Sequence, residues 1–183
     1  MADTAKNVPR ITAEEYFKLT ADREDRTELL DGEIVALAAP NEAHQTITGR
    51  LFSKIDGFIL SNKGTCKALL SPFDVVLDDG NIVQPDVLVI CDPSKRDGKR
   101  CHGAPDLVIE VLSSDRDNDL IRKQELYKSA GVREYWIVDP RGRKTWVYVF
   151  ERHPNVVEMY DWTDEIPVGI YGGKLSICIA DLV

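Results

Sequence analysis

Asp106-Leu107-Val108-Ile109-Glu110-Val111-Leu112, followed by a short polar link, Asp117 to Ala130, Gly131 and then Glu134-Tyr135-Trp136-Ile137-Val138, is the stretch that decides the fold. The first run is apolar at consecutive positions, which predicts a strand covered on both faces. The second reads as a helix closed by Gly131 as its C-cap, and the third as another buried strand. Strand, helix and strand in that order make a right-handed crossover between parallel neighbours. Helices laid on a sheet are thus expected from this segment alone.

Outward towards the N-terminus, Asp86 to Cys91 is a second continuous apolar run and so a second covered strand. Ile47, Leu51, Ile55 and Phe58 recur at helical spacing between His44 and Leu60, which predicts the longest helix, lying across the sheet. Asp31-Gly32 between Thr27–Leu30 and Glu33–Leu37 signals a two-residue hairpin. Thr12 ahead of Glu14 and Glu15 reads as an N-cap with acids in the first turn. Thr65–Leu70, Asp74–Leu77 and Thr145–Phe150 are further strands, and the stretch from Tyr171 to Ala180 supplies short edge strands.

The chain has 183 residues, a formal net charge of −8 and 43 % hydrophobic residues. At this length a compact fold hides about 70 % of the unfolded surface, enough for one core without metal or disulfide. We expect a flexible tail over residues 1–10 and one domain over 11–183. No run approaches the roughly 20 apolar residues that cross a bilayer, so the expected setting is cytoplasmic, away from membranes. Cys66, Cys91, Cys101 and Cys178 show no close pair, which favours reduced, packed thiols. The acidic balance argues against broad coating of nucleic acid.

Several tempting motifs fail on spacing. Asp115, Asp117 and Asp119 begin like a calcium loop, but Leu120 and Leu126 hold the required Gly and Glu positions. Gly173-Lys174 lacks the rest of a phosphate loop, Cys101-His102 lacks two further zinc ligands, and no G-x-S-x-G elbow offers a serine nucleophile.

One constellation survives. Strand alternation puts Glu110 on the face of Val108 and Leu112, where an unpaired carboxylate costs several kcal/mol. Leu120, Lys123 and Tyr127 follow at helical spacing, so Lys123 lies on the inward helix face and its ammonium points towards the sheet. Asp86 opens the other covered strand, and two central strands in register would bring it beside Glu110. Close carboxylates raise one another's pKa unless a cation sits between them. Oxygen-only ligands suit Mg²⁺ or Mn²⁺, which points to phosphodiester hydrolysis. On pattern alone a second reading stays open: a buried Glu110–Lys123 ion pair that fixes helix to strand, with Asp86 capping a turn.

Gln84-Pro85-Asp86, Ala104-Pro105-Asp106 through Glu110 to Ser113, Lys123 with Tyr127, and Gly131 through Asp139-Pro140 together resemble the Uma-two family of endonucleases. Glu28 through Glu33 and His44 extend the likeness over most of the chain. The resemblance implies an α/β (α+β) restriction-endonuclease-like fold, a central mixed β-sheet flanked by helices, with a PD-(D/E)XK-type site. It implies Asp86 as first acid, Glu110 as second, Glu28 as an additional acid, and His44 near the site. The sequence departs from the parent pattern where Leu112 stands two residues after Glu110; Lys123 on the following helix takes the lysine's place. The implied activity is Mg²⁺- or Mn²⁺-dependent cleavage of DNA, with metal at Asp86 and Glu110 and Tyr127 as a neighbour; the alternative is a non-catalytic nucleic-acid-binding or protein-interaction module of the same fold. The basic loop of Lys95, Arg96, Lys99 and Arg100 reads equally as a contact to a phosphate backbone or as a solvated loop. Trp146, Tyr148 and Phe150 share a strand face that could join two copies into a homodimer, and packing within the hairpin explains the row as well.

Overall fold

The computed structural model describes residues 10–113 and 117–183, without the side chains of 117–121. The tail expected over 1–10 therefore lies, Arg10 apart, outside the described residues, as do Asp115 and the side chain of Leu120.

The elements run α1 (Ala13–Thr20), β1 (Thr27–Leu30), β2 (Glu33–Ala36), α2 (Glu42–Ser61), β3 (Lys67–Leu70), β4 (Asp74–Asp78), β5 (Asn81–Val83), β6 (Val87–Ile90), β7 (Arg100–His102) and β8 (Leu107–Val111). They continue with α3 (Asp117–Ala130), β9 (Glu134–Asp139), β10 (Lys144–Val149), β11 (Glu158–Asp161), β12 (Glu165–Pro167) and β13 (Ser176–Cys178). Local chemistry explains the boundaries. Thr12 and Glu15 form a reciprocal capping box at α1. Asp31 and Gly32 both take positive φ, 50° and 78°, which a two-residue hairpin turn of this hand requires.

The central sheet has six strands in the order β11-β10-β9-β8-β6-β3. It is mixed, because β8 and β9 run parallel across the α3 crossover while β6 and β8 are antiparallel. A second sheet, absent from the expectation of one central sheet, orders β2-β1-β5-β4-β7. β5 and β7, at three residues each, are too short to carry a periodic signal in the sequence.

The two faces of the central sheet pack differently. Leu107, Ile109 and Val111 of β8, with Val87, Val89, Trp136 and Val138, pack against Ile47, Leu51, Ile55 and Ile59 of α2. Val108 and Leu112, with Leu88, Ile90, Tyr135 and Ile137, face Tyr127 of α3 and Leu30, Val75 and Val83 of the second sheet. This is the mixed α+β class the sequence led us to expect. The site is enclosed on the second face, between helix and second sheet.

The expectation of reduced thiols fails at two of the four cysteines: Cys66 and Cys91 form a disulfide, while Cys101 and Cys178 are free. The cause is register. β3 and β6 pair with Lys67 opposite Ile90, and one further step sets Cys66 across from Cys91. A spacing of 25 residues along the chain hid that juxtaposition.

Candidate active site

Alternation along β8 turns Glu110 towards α3, where it is only 5 % exposed. The helix answers with Lys123, itself 3 % exposed, whose Nζ donates to Glu110 Oε1 at 3.0 Å and to Glu28 Oε1 at 2.9 Å. One turn later Tyr127 donates its hydroxyl to the same Glu110 oxygen at 2.8 Å. Glu28 comes from β1 of the second sheet, is wholly buried, and also accepts the backbone N–H of Gln84 at 2.9 Å. The ammonium therefore ties three elements together: β1, β8 and α3.

Asp86 reaches the same region through strand pairing. β6 and β8 match Val87 with Ile109, so one further step places Asp86 across from Glu110. Its Oδ2 accepts the N–H of Val111 at 2.8 Å and lies 3.0 Å from His44 Nε2. His44 sits in the first turn of α2, a helix capped by Asn41, whose side chain accepts the His44 N–H.

The electrostatics follow from this crowding. Burial pushes the Glu110 carboxyl above its ordinary range; the negative charges of Asp86 and Glu28 add to the rise, while Lys123 and the Tyr127 hydroxyl oppose it. For Lys123, burial works against the charged form, yet Glu110 and Glu28 outweigh it and hold the ammonium above the usual lysine range. Burial, with Glu110 and Glu28 beside it, pushes the Tyr127 phenol well up. Lysine and tyrosine are thus both protonated donors at neutral pH. Removing the cation would leave two buried carboxylates uncompensated, a loss of about 3–5 kcal/mol.

The residues also fit a divalent cation. Asp86 and Glu110 offer oxygen only, and two carboxylates completed by water or phosphate oxygens are how Mg²⁺ is ordinarily held. Among the described residues the carboxylate oxygens are not all spoken for: Glu28 Oε2 is buried without a hydrogen-bond partner. Within the described residues no group of three or more His, Cys, Asp or Glu side chains is arranged for a metal. A narrow cleft with ≈ 20 Å³ of room for water-sized guests reaches Asp86, walled by Arg26, Leu37, Pro40, His44 and Gln84.

A family model described as "Uma2: Putative restriction endonuclease" matches residues 13–167. The chain belongs to the Uma2 family. It is 30 % identical over 106 residues to "Uncharacterized protein slr1290" of Synechocystis sp., covering 57 % of this chain and 55 % of that protein. The chain thus spans about half the length of the curated relative it matches. Its fold resembles a solved structure described as a "putative nuclease belonging to DUF820 from Anabaena variabilis", with TM-score 0.77 and 25 % identity over 94 % of this chain and 97 % of that one.

The structure of this Uma2 chain brings Glu28, Glu110, Lys123 and Tyr127 into direct contact, and Asp86 with His44 into a second contact on the adjoining strand. Two of the four cations of the basic loop have partners within the protein. Lys95 donates to the Ala104 carbonyl, and Arg100 lies 3.5 Å over the Phe17 ring. Arg26 and Gln84 at the cleft went unassigned at the sequence level, since neither lies on a periodic segment. Their signal was position, immediately ahead of β1 and of Pro85-Asp86. The described helices include none long and apolar enough to cross a membrane.

Proposed function

We propose that this protein is a divalent-metal-dependent endonuclease that hydrolyses DNA phosphodiester bonds, with Mg²⁺ or Mn²⁺ held by Asp86 and Glu110. The observation that supports it most is the Lys123 ammonium clamped between Glu28 and Glu110, beside the strand end that presents Asp86. An inert scaffold gains little from such a group, because a hydrophobic replacement for a buried ion pair is often as stable or more so.

When bound, the ion supplies positive charge that polarises the scissile phosphate and acidifies water at the site. Lys123 stays protonated, so its role is that of a donor: it orients the attacking water and offsets the negative charge that builds on the phosphoryl oxygens. Glu28 shares the ammonium with Glu110 and fixes its place. Tyr127 holds Glu110 in position. With its proton on Nε2, His44 joins the Val111 N–H in occupying Asp86 Oδ2 and so positions the carboxylate that would hold the ion.

The test is cleavage of plasmid DNA with Mg²⁺ or Mn²⁺. Wild-type protein should cut and Glu110→Ala should not, while the variant keeps the circular dichroism of a folded protein. Equal cutting by both would assign the activity to a contaminant.

The net charge of −8 favours a second reading, a non-catalytic binding module of the same fold. It predicts no divalent-ion binding at millimolar concentration together with retained binding of DNA or another partner. We further propose a homodimer, since two symmetry-related sites suit the cutting of both strands. Met159, 62 % exposed, pairs with Trp146 across β10 and β11 and extends the aromatic face of Tyr148 and Phe150. Met159→Glu should then shift the mass measured by light scattering to that of one chain.

A further inference from the structure

Resting on the nuclease reading above, we infer that Arg26 anchors a backbone phosphate of the DNA strand bound at Asp86. Arg26 and Asp86 line the same cleft, one immediately before β1 and the other immediately before β6. The backbone of Arg26 is fixed by the β1–β2 ladder, whose next rung is the Leu37 N–H donating to the Arg26 carbonyl at 2.9 Å. Its side chain is aimed by an amide: Arg26 Nε donates to Gln84 Oε1 at 3.1 Å, and Gln84 Nε2 in turn donates to Asp74 Oδ1 at 2.9 Å. The second bond sets which end of the Gln84 amide faces the guanidinium.

The partner is informative because it is neutral. The chain has 31 acids against 23 Lys and Arg, and Arg23, Arg100, Arg122 and Arg133 each lie within 4 Å of a carboxylate. Arg26 has no such neighbour among the described residues, although it is half-buried. A guanidinium held through Nε alone keeps its terminal nitrogens for another acceptor. Their planar fork matches the two non-bridging oxygens of a phosphodiester. A cation left unneutralised where an acidic protein must admit a polyanion also resolves the conflict between net charge and substrate: attraction is concentrated at one point of the cleft instead of spread over the surface.

The bland account is that Arg26 merely steadies Gln84, whose backbone N–H holds Glu28. The two differ in what the variant loses. We would measure binding of a fluorescent single-stranded 20-mer by anisotropy across a salt series in the Glu110→Gln background, and steady-state cleavage of the same strand in the active protein. Arg26→Gln should weaken binding roughly tenfold and lower the slope of log affinity against log salt by about 1. KM should rise by a similar factor while kcat stays within about twofold. Arg26→Lys, which keeps the charge without the fork, should bind with intermediate affinity and a wild-type slope; it serves if Arg26→Gln melts early. Arg50→Gln removes the same charge from the exposed flank of α2 and should change neither quantity.

Cleavage by wild type with unchanged affinity and slope in Arg26→Gln would overturn the anchor and leave the nuclease reading intact. A fall in kcat at constant affinity would do the same, placing Arg26 with the Gln84–Glu28 support. Failure of the wild type to bind or cut would remove the nuclease reading itself.

Discussion

Two carboxylates stand on neighbouring strands of the central sheet and point to opposite faces. Glu134, at the start of β9, is wholly buried on the α2 side and accepts three neutral N–H donors: Trp136 Nε1 at 2.7 Å, Gly169 N at 2.9 Å and Ile170 N at 2.8 Å. Glu110, on β8, is nearly as buried on the α3 side, but its partners are a lysine and a tyrosine, with two further acids close enough to perturb it. Burial raises both carboxyls, and in Glu134 the fixed donors oppose it. Burial therefore does not distinguish these two acids; the kind of partner does. Backbone donors brace a loop and leave nothing over. A charged clamp beside other acids keeps its energy in interactions that a cation or a substrate can redistribute.

The sharpest way to break this contrast is to remove the cation. Lys123→Met should destabilise the protein by about 3–5 kcal/mol and abolish cleavage, since Glu28 and Glu110 then face each other uncompensated. Adding Glu28→Gln and Glu110→Gln should return most of the stability in denaturant titration without restoring activity. A Lys123→Met protein that melts and cuts like wild type would place Lys123 outside both roles.

Next in size is Glu134→Ala, which strands three donors and should cost about 3 kcal/mol while leaving cleavage per folded molecule unchanged. Gly169→Ala probes the same contact more gently, because its Cβ would meet Glu134 Oε2 at 3.1 Å. The pH dependence has a definite sign. The Glu134 carboxyl binds its proton more tightly folded than unfolded, so the folded state holds more protons between the ordinary value of 4.5 and the raised one. Wild-type stability from this group is therefore largest below 4.5 and falls as pH rises through that window. Glu134→Gln does not titrate, so the wild-type minus variant difference, read from urea midpoints between pH 4 and 7, should shrink as pH rises.

What could be read from the sequence follows the range of the contacts involved. The β8–α3–β9 unit, the inward face of Lys123 and the direction of Glu110 rest on period-2 and period-3.6 patterns within the single stretch from Leu107 to Asp139, so they were legible. The register that sets Asp86 opposite Glu110 could be posed but not fixed, because the pairing of β6 with β8 depends on the loop between them. Cys66 opposite Cys91, the second sheet behind Glu28, and the donors to Glu134 from Gly169 and Ile170 join distant segments with no local mark. Glu134 looked like the ordinary polar start of a strand. Arg26 and Gln84 acquire meaning only once β1 and β6 lie side by side around the cleft.

Tyr127→Phe is the smallest and most discriminating change, since it keeps the ring against Tyr135, 4.9 Å away, and deletes one hydrogen bond to Glu110. If the Glu110 face were as saturated as the Glu134 face, the loss would register as stability alone, about 1 kcal/mol. On the reading offered here it should also be felt in the chemistry. The Tyr127 hydroxyl is one of the interactions that restrain the rise of the Glu110 carboxyl, so its removal lets that carboxyl climb further. The acidic limb of the pH–rate profile should move to higher pH in Tyr127→Phe, with the plateau rate reduced less than tenfold. A melting shift with an unmoved limb would put Tyr127 in the core only, and Glu110 would then be held in place by Lys123 without its help.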